Sequence, residues 1–315
     1  MSTTDFPKND IKEDDVELVF VNDEEDSVET ESSSTSAEKE TGKKNRPPRT
    51  KQDIIRYIVM FVSLAVFIFS ACMLIYYISG YIKARNIYKD IDNNVRETSD
   101  ATVEYVDDES KEYNFEIGNT IDFESLKEIN EDTIGWISIP SVGIEYPVVK
   151  GTDNDYYLKH GHNKVEMWAG AIFMNYNCSS DWSDTHTIVY GHHMQDGSMF
   201  SKLLKYDEES FYQKHDGENY IYIYTEENIR VYEIFAIVDA ESAAAPIPFS
   251  LNIPGRYSMS EFSEAIRDAA LYDTGFETLS DDDKVITLMT CQTNSQSNVR
   301  HLVHGKLITI VEYEK

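Results

Sequence analysis

The feature that most constrains this chain is an uncharged run over residues 57–82. As a helix rising about 1.5 Å per residue, the run would be roughly 39 Å long, enough to cross a bilayer core of about 30 Å. It is too long, and begins too far into the chain, for an ordinary cleaved signal peptide. Tyrosines lie near both of its ends, as is typical of membrane interfaces. The sequence therefore predicts one transmembrane helix over residues 57–82.

Basic residues flank this run unequally. Seven Lys and Arg fall within the twenty residues before it and four within the eighteen after it. An excess of Lys and Arg marks the cytoplasmic flank of a membrane helix. We therefore expect a single-pass protein of the cell membrane, with a cytoplasmic N-terminus and an extracellular C-terminal part.

Two charged segments surround the run. Residues 1–50 are polar and acidic, with 12 acidic residues and two lysines in residues 1–31, so we expect a disordered cytoplasmic tail. Whether this tail docks a partner stays open. Residues 83–120 are mixed and charged; a helix could continue over 84–95, and the remainder is predicted to be a flexible extracellular spacer.

The charge balance of the whole chain excludes one class of partner. Asp and Glu number 57 against 28 Lys and Arg, a formal net charge of −29. Nucleic-acid binding needs clustered cations that neutralise phosphates, which this composition does not offer. The simplest role for the acidic excess is solubility.

Residues 121–315 have the pattern of a folded β domain. Short apolar, β-branched runs alternate with turn signals, and a short amphipathic helix is predicted at 122–130 and further helices at 199–206 and 259–272. The predicted strands are residues 134–139, 144–149, 169–174, 185–190, 219–225, 229–238, 284–290 and 302–312. Eight strands in a domain of this size favour a closed or nearly closed barrel, with a mixed sandwich as the alternative.

The chain has three cysteines. Cys72 lies in the uncharged run, whereas Cys178 and Cys291 lie in the β domain. Outside a membrane, two cysteines are equally compatible with one disulfide and with two thiols.

Cys291 ends a β-branched strand, which is how a sheet presents a nucleophile at its rim. A lone cysteine more often packs in a core, but the run that follows, residues 292–298, is polar and Arg300 opens the next strand. A guanidinium near a thiol can lower its pKa or hold an oxyanion. His192 and His193 end another strand and point in opposite directions, so only one of them can face Cys291.

A metal site is a weaker hypothesis. His160, His162, the 192/193 pair and Cys178 offer suitable ligand atoms. Neither a helical His-x3-His spacing nor a CxxC knuckle is present among them, so we expect no metal. Nucleophilic chemistry by a thiol also needs no other cofactor, so we expect none.

At these residues the chain resembles a family. Thr287-Leu-Met-Thr-Cys291, followed by Arg300, resembles the TLxTC…R motif of sortases, the membrane-anchored cysteine transpeptidases of Gram-positive bacteria. The segment from Tyr190 to Phe200 is similar to the histidine segment of class B sortases, in which the histidine directly follows the glycine matched by Gly191. Further similar segments are Gly135-Trp-Ile-Ser-Ile-Pro140, Tyr146-Pro-Val-Val149, Asp153-Asn-Asp-Tyr-Tyr157 and Gly170-Ala-Ile-Phe-Met174.

The resemblance covers residues 121–315 and has structural and chemical implications. It implies an eight-stranded β-barrel with N-terminal helical elements and a helix before the penultimate strand. It implies that His192 is the general acid/base, Cys291 the nucleophile and Arg300 the group that stabilises the oxyanion. It also implies cleavage of a C-terminal sorting motif in secreted surface proteins through a thioacyl-enzyme, and transfer to an amine of the peptidoglycan cross-bridge.

Two alternatives from other classes stay open at this point. One is a membrane-tethered cysteine hydrolase that releases its product without transfer. The other is a non-catalytic extracellular β-barrel binding module in which Cys291 belongs to the core.

Overall fold

The computed structural model describes residues 50–106, 112–241, 258–291 and 299–313. The side chains of Glu241, of Cys291 and of most residues between 98 and 119 lie outside this description. The predicted tail up to residue 49 and the polar run 292–298 lie outside it as well. By its internal contacts the chain divides into two units, Met1–Val59 and Met60–Lys315.

The first helix, α1, is Lys51–Val95 and contains the whole uncharged run. Among the described residues it is the one helix long and apolar enough to cross a membrane, with a mean hydropathy of 2.8 in its most apolar window. Its last turns behave differently. Ala84, Tyr88, Ile91 and Val95 are buried, at four-residue or shorter spacing, and belong to the main hydrophobic core.

Two strands follow where the sequence predicts a flexible spacer. β1 (Arg96–Val106) and β2 (Glu112–Ile121) pair antiparallel. The structure therefore differs from that prediction, and the reason lies in the alternation of β2. Tyr113, Phe115 and Ile117 are buried, and the Phe115 ring lies 5.1 Å from that of Tyr220. Because charged and polar residues are frequent in this segment, its composition does not reveal the alternation of buried residues.

The β domain is a closed eight-stranded barrel. Its strands are β3 (Thr133–Ile139), β4 (Ile144–Val149), β5 (Ile172–Met174), β6 (His186–Tyr190), β7 (Tyr220–Tyr224), β8 (Asn228–Glu241), β9 (Val285–Cys291) and β10 (Val299–Glu312). Around the barrel the order is β10-β8-β7-β3-β4-β5-β6-β9, with β4–β5 and β6–β9 parallel and the other described pairs antiparallel.

All eight predicted strands correspond to barrel strands, so the barrel is confirmed over the sandwich. Some strand ends differ from the prediction where turns intervene. β5 begins at Ile172 and not at Ala169, because Gly170 has a φ of +56°, which an extended strand does not allow.

Short helices cover the barrel. α2 (Phe123–Ile129) is capped by Asp122, whose carboxylate accepts from the Ser125 N–H. Residues Phe200–Asp207, predicted as a helix, form a 3₁₀ helix, and α3 (Glu209–Lys214) follows. A 3₁₀ turn, Tyr156–Leu158, precedes β5.

α4 (Met259–Ala269) is the helix before the penultimate strand, and its start is as the sequence predicts. Ser258 and Glu261 form a capping box, an arrangement that contributes about 1 kcal/mol. Phe262 and Ile266 are fully buried in a second apolar cluster with Ile188, Met289 and Leu302. α4 therefore covers the outer face of β6, β8, β9 and β10.

A buried ionic network ties three elements together. His301 of β10 is fully buried, and its Nδ1 donates to Asp239 of β8 at 3.0 Å. Asp207, at the end of the Phe200–Asp207 3₁₀ helix, is an ion-pair partner of the same nitrogen at 3.0 Å. Nε2 lies 3.3 Å from the carbonyl oxygen of Leu203. Since carboxylates and carbonyls only accept, both ring nitrogens need protons here, and His301 is an imidazolium.

The titration of His301 follows from this environment. Burial by itself would lower its pKa, but the hydrogen bonds and charges of Asp207 and Asp239 outweigh burial and raise the pKa to about 9. The folded-state pKa exceeds the ordinary value of about 6.5. The resulting stabilisation is therefore complete below about pH 6.5 and is lost as the pH rises through about 9.

We predict that the free energy of unfolding falls between about pH 7 and pH 9.5, and falls more steeply in the wild type than in His301→Gln, because only the wild type loses this buried charge. Urea denaturation at several pH values measures it. His215→Gln, at a histidine that lies 4.3 Å from the Phe211 ring, is the matched control and should keep the wild-type slope. Equal slopes in wild type and His301→Gln would contradict the prediction.

Candidate active site

The site lies at one rim of the barrel, where three neighbouring strands meet. β9 is hydrogen-bonded to β6 in parallel and to β10 antiparallel. The carboxyl ends of β6 and β9 and the start of β10 therefore lie at the same rim. Gly191 and His192 follow β6, Cys291 ends β9, and Arg300 is the second residue of β10.

The register of β9 and β10 brings two of the predicted residues opposite each other. Arg300 pairs with Cys291, His301 with Thr290 and Leu302 with Met289. Arg300 also pairs with Ala240 of β8 on its other side, and its side chain is half-buried. The backbone positions of Cys291 and Arg300 are thus fixed by a continuous ladder.

The histidine segment is attached to the same ladder. The Gly191 N–H donates to the Met289 carbonyl at 3.1 Å, two residues before Cys291. On its other side, the His192 carbonyl accepts from the Phe200 N–H at 3.0 Å. His192 is therefore held between β9 and the start of the following 3₁₀ helix, close in backbone position to the end of β9.

Gly191 has a packing requirement of its own. A Cβ at this position would lie 2.5 Å from the Ile172 side chain and 2.6 Å from the Phe200 ring. Such distances are not tolerated without displacement of the neighbours. The glycine before His192 therefore lets the chain leave β6 tightly against the barrel.

The orientation of the His192 ring is set by a backbone carbonyl. Its Nε2 lies 2.8 Å from the oxygen of Leu158, at the end of the 3₁₀ turn before β5. A carbonyl oxygen only accepts, so Nε2 carries a proton. In the neutral ring the basic lone pair is then on Nδ1.

The segment that supplies this carbonyl is itself clamped. The Tyr88 hydroxyl, from α1, donates to the Gly170 carbonyl at 2.6 Å and accepts from the His162 N–H at 3.2 Å. A Cβ on Gly170 would lie 2.6 Å from the Tyr157 carbonyl oxygen and 2.9 Å from that of Leu158. Sequence reasoning did not include Tyr88 or Leu158, because a backbone acceptor and a clamp from a distant helix leave no motif.

His193 has a different environment from its neighbour. Burial first, and then the charge of His301, lower its pKa. Its backbone forms an isolated bridge with Met199. The two adjacent histidines are thus separated, with His192 held by Leu158 and His193 close to the buried network.

The other residues considered as possible metal ligands make structural contacts. The His160 ring stacks on Tyr156 at 4.0 Å, and buried His162 bonds Thr133 through Nε2 at 2.9 Å. Cys178 is buried, with its Sγ 3.9 Å from the His186 carbonyl oxygen. Among the described residues, one group has ligand atoms close enough together to hold a metal ion, and it consists of Asp207, Asp239 and His301. The His301 imidazolium already neutralises part of the negative charge of the two carboxylates.

Comparison with known proteins gives a consistent result. The family model for the Sortase domain matches residues 137–308, more than half of the chain. Sortase B of Listeria monocytogenes is 31% identical over 185 residues, which cover 58% of this chain and 73% of that protein. Sortase B of Staphylococcus aureus is 26% identical over 189 residues, covering 60% of this chain and 75% of that protein.

Solved structures resemble the fold over a similar span. The crystal structure of sortase B from B. anthracis has a TM-score of 0.56 at 26% identity, covering 75% of this chain and 100% of that one. Sortase B of Clostridium perfringens has a TM-score of 0.52 at 28% identity, covering 60% of this chain and 100% of that one. With the closed barrel, these matches establish that the chain belongs to the sortase family and is a class B sortase, a cysteine transpeptidase that anchors proteins to the cell wall.

Proposed function

We propose that Cys291, His192 and Arg300 perform the transpeptidation, on a C-terminal sorting motif of secreted surface proteins and an amine of the peptidoglycan cross-bridge. The observation that carries this proposal is the ladder that joins the three strand ends. Arg300 lies opposite Cys291, and Gly191, which precedes His192, is bonded to Met289. Directly opposite residues of an antiparallel pair share a face of the sheet, so a guanidinium and a thiol at these positions can act on one substrate.

In the first half of the reaction, the Cys291 thiolate attacks the carbonyl carbon of the residue before the scissile bond. The negative charge that develops on the carbonyl oxygen accepts hydrogen bonds from Arg300. The tetrahedral intermediate then breaks its C–N bond, and protonated His192 gives its proton to the leaving amine. The product is a thioester between substrate and Cys291.

In the second half, the acceptor amine attacks the thioester and loses a proton to His192. The C–S bond breaks, the new amide is released, and the thiolate is restored. Because Nε2 of His192 is bonded to Leu158, Nδ1 is the nitrogen that exchanges this proton in our proposal. Water competes with the amine for the same thioester.

The family and the apolar helix indicate membrane association. We further propose that residues 57–82 span the membrane with the tail inside and the barrel outside, since Lys and Arg are more frequent before the run than after it. The catalytic domain of this proposal is residues 121–315. A substrate that leaves the membrane would then meet the site on the outer side.

We predict that Cys291→Ala abolishes cleavage of a sorting-motif peptide and that His192→Ala lowers kcat by about 10²–10⁴-fold, the usual contribution of general acid–base catalysis. His193→Ala is the matched control, since it removes the same side chain at the adjacent position. It should change kcat by only a few-fold. Steady-state kinetics with purified full-length protein gives the comparison. Equal losses in the two histidine variants would contradict the assignment.

Arg300→Lys should lower kcat by about 10²–10³-fold with a smaller change in KM, because lysine keeps the charge but not the two-pronged donor geometry. The matched control is Arg267→Lys on α4, where the guanidinium contacts the Phe276 carbonyl at 3.4 Å. A loss confined to KM in Arg300→Lys would indicate ground-state binding of substrate and would overturn the oxyanion role.

The chemical nature of the product distinguishes transfer to an amine from hydrolysis. With an added amine nucleophile we expect an amide product by mass spectrometry, rising with amine concentration at the expense of the acid. The Cys291→Ala variant should give neither. Acid alone at every amine concentration would support the membrane-tethered hydrolase in place of the transpeptidase.

The hydrogen bond between His192 and the Leu158 carbonyl predicts that a substitution away from the three catalytic residues also lowers activity. Gly170→Ala should lower kcat, because the new Cβ would displace the Leu158 carbonyl that orients His192. Gly197→Ala is the matched control, since Gly197 also has a positive φ, +77°, but a Cβ added there would have nothing within 4 Å. Urea denaturation of both variants separates stability from catalysis. Equal kcat values in the two would contradict the link.

A further inference from the structure

One tryptophan is exposed on the surface of the second unit. The chain has three tryptophans, and Trp136 and Trp182 are 0% and 1% exposed. Trp168, in the segment between the 3₁₀ turn and β5, is 52% exposed. Its ring therefore lies outside the domain core, and its neighbours decide what it can contact.

Trp168 packs on α1 at the end of the uncharged run. Its ring centroid lies 4.8 Å from that of Tyr77 and 6.0 Å from that of Tyr76, and the two tyrosines are themselves 6.0 Å apart. All three rings are exposed in part, by 61% for Tyr76 and 43% for Tyr77. We call Tyr76, Tyr77 and Trp168 the aromatic cluster.

The position of the cluster along α1 corresponds to a membrane boundary. The run of residues 57–82 exceeds the length needed to cross the bilayer core by roughly 9 Å, about six residues at 1.5 Å each. If the core begins at Tyr57, it ends near Tyr76, and Lys83 is the first charge beyond it. Tryptophan and tyrosine are enriched at this depth, where one end of the ring is apolar and the other is wet.

A groove beside the cluster has a suitable lining for lipid headgroups. It measures about 370 Å³ and is lined by Tyr76, Ser79, Lys83, Glu166 and Trp168 among others. The Lys83 ammonium supplies a cation at headgroup level, and the aromatic rings supply the apolar side. The lining thus combines aromatic rings with one ammonium, one carboxylate and the Ser79 hydroxyl, a set that suits the mixed chemistry of a zwitterionic headgroup.

The segment that carries Trp168 cannot move freely away from this level. Tyr88, about three turns further along α1, bonds Gly170 and His162 on either side of Trp168. Ala84, Ile91 and Val95 continue the same helix into the buried core. The helix that carries Tyr76 and Tyr77 thus also fixes the segment that carries Trp168.

We infer that the exposed part of this segment around Trp168 docks on the outer lipid interface, with Trp168 inserted beside Tyr76 and Tyr77; the partner is the lipid surface of the membrane that α1 crosses. This inference rests on the proposed membrane span. It has a consequence for catalysis. Leu158, which orients His192, lies ten residues before Trp168, and Tyr88 clamps the segment between them, so the site is held at a fixed height above the membrane and acts on motifs close to it.

Tryptophan fluorescence of the full-length protein in lipid vesicles tests the docking. The probe is phosphatidylcholine brominated either near the headgroup or near the end of the acyl chain. We expect quenching of a tryptophan component by the shallow bromine, weaker quenching by the deep one, and protection of that component from aqueous iodide. In Trp168→Phe this lipid-quenched component should disappear, because Trp136 and Trp182 are buried in the barrel domain.

Three outcomes would contradict the inference, one at the membrane span and two at the docking. Vesicle flotation shows first whether the chain is inserted, and a protein that stays in the soluble fraction contradicts the membrane span itself. A protein that floats, but whose Trp168 is quenched by iodide and not by brominated lipid, contradicts the docking alone. Trp168→Phe that floats and keeps the full lipid-quenched signal also contradicts it.

Discussion

The position of the proposed active site depends on the hydrogen bonding of β9, which pairs with β6 on one edge and with β10 on the other. This double pairing brings three strand ends that are distant in sequence to one rim. Strand register is fixed wherever one face is buried, because a shift of one residue would turn the buried set outward. Ile286 and Leu288 lie in the main core, whereas Met289 packs in the cluster covered by α4, so both faces of β9 are buried.

A second constraint fixes the orientation of the His192 ring. Leu158 bonds His192, and the segment after Leu158 is held by Tyr88 of α1. Because Gly170 has no Cβ, its backbone can lie close to the carbonyl oxygens of Tyr157 and Leu158. The rim that carries the proposed catalytic residues is therefore attached to α1, and the orientation of one imidazole is linked to a segment that this helix clamps.

Much of the barrel was predictable because each strand carries its own local pattern. The eight predicted strands correspond to the eight barrel strands, and α4 begins at Met259, where the sequence predicts it. The hairpin of β1 and β2 was missed because its buried residues alternate within a highly charged segment. The 3₁₀ geometry at Phe200–Asp207 was missed too, since apolar spacing alone does not separate it from a short α-helix.

The sequence by itself determined the apolar run of α1, the number of barrel strands, and the three residue types at strand ends, because these are local properties of neighbouring residues. Only the tertiary structure decided that Arg300 lies opposite Cys291, that Leu158 orients His192, and that His301 is a buried cation between Asp207 and Asp239. Each of these depends on strand pairing or on a backbone carbonyl from a distant segment. Such contacts arise from chain topology and leave no pattern in the sequence around either partner.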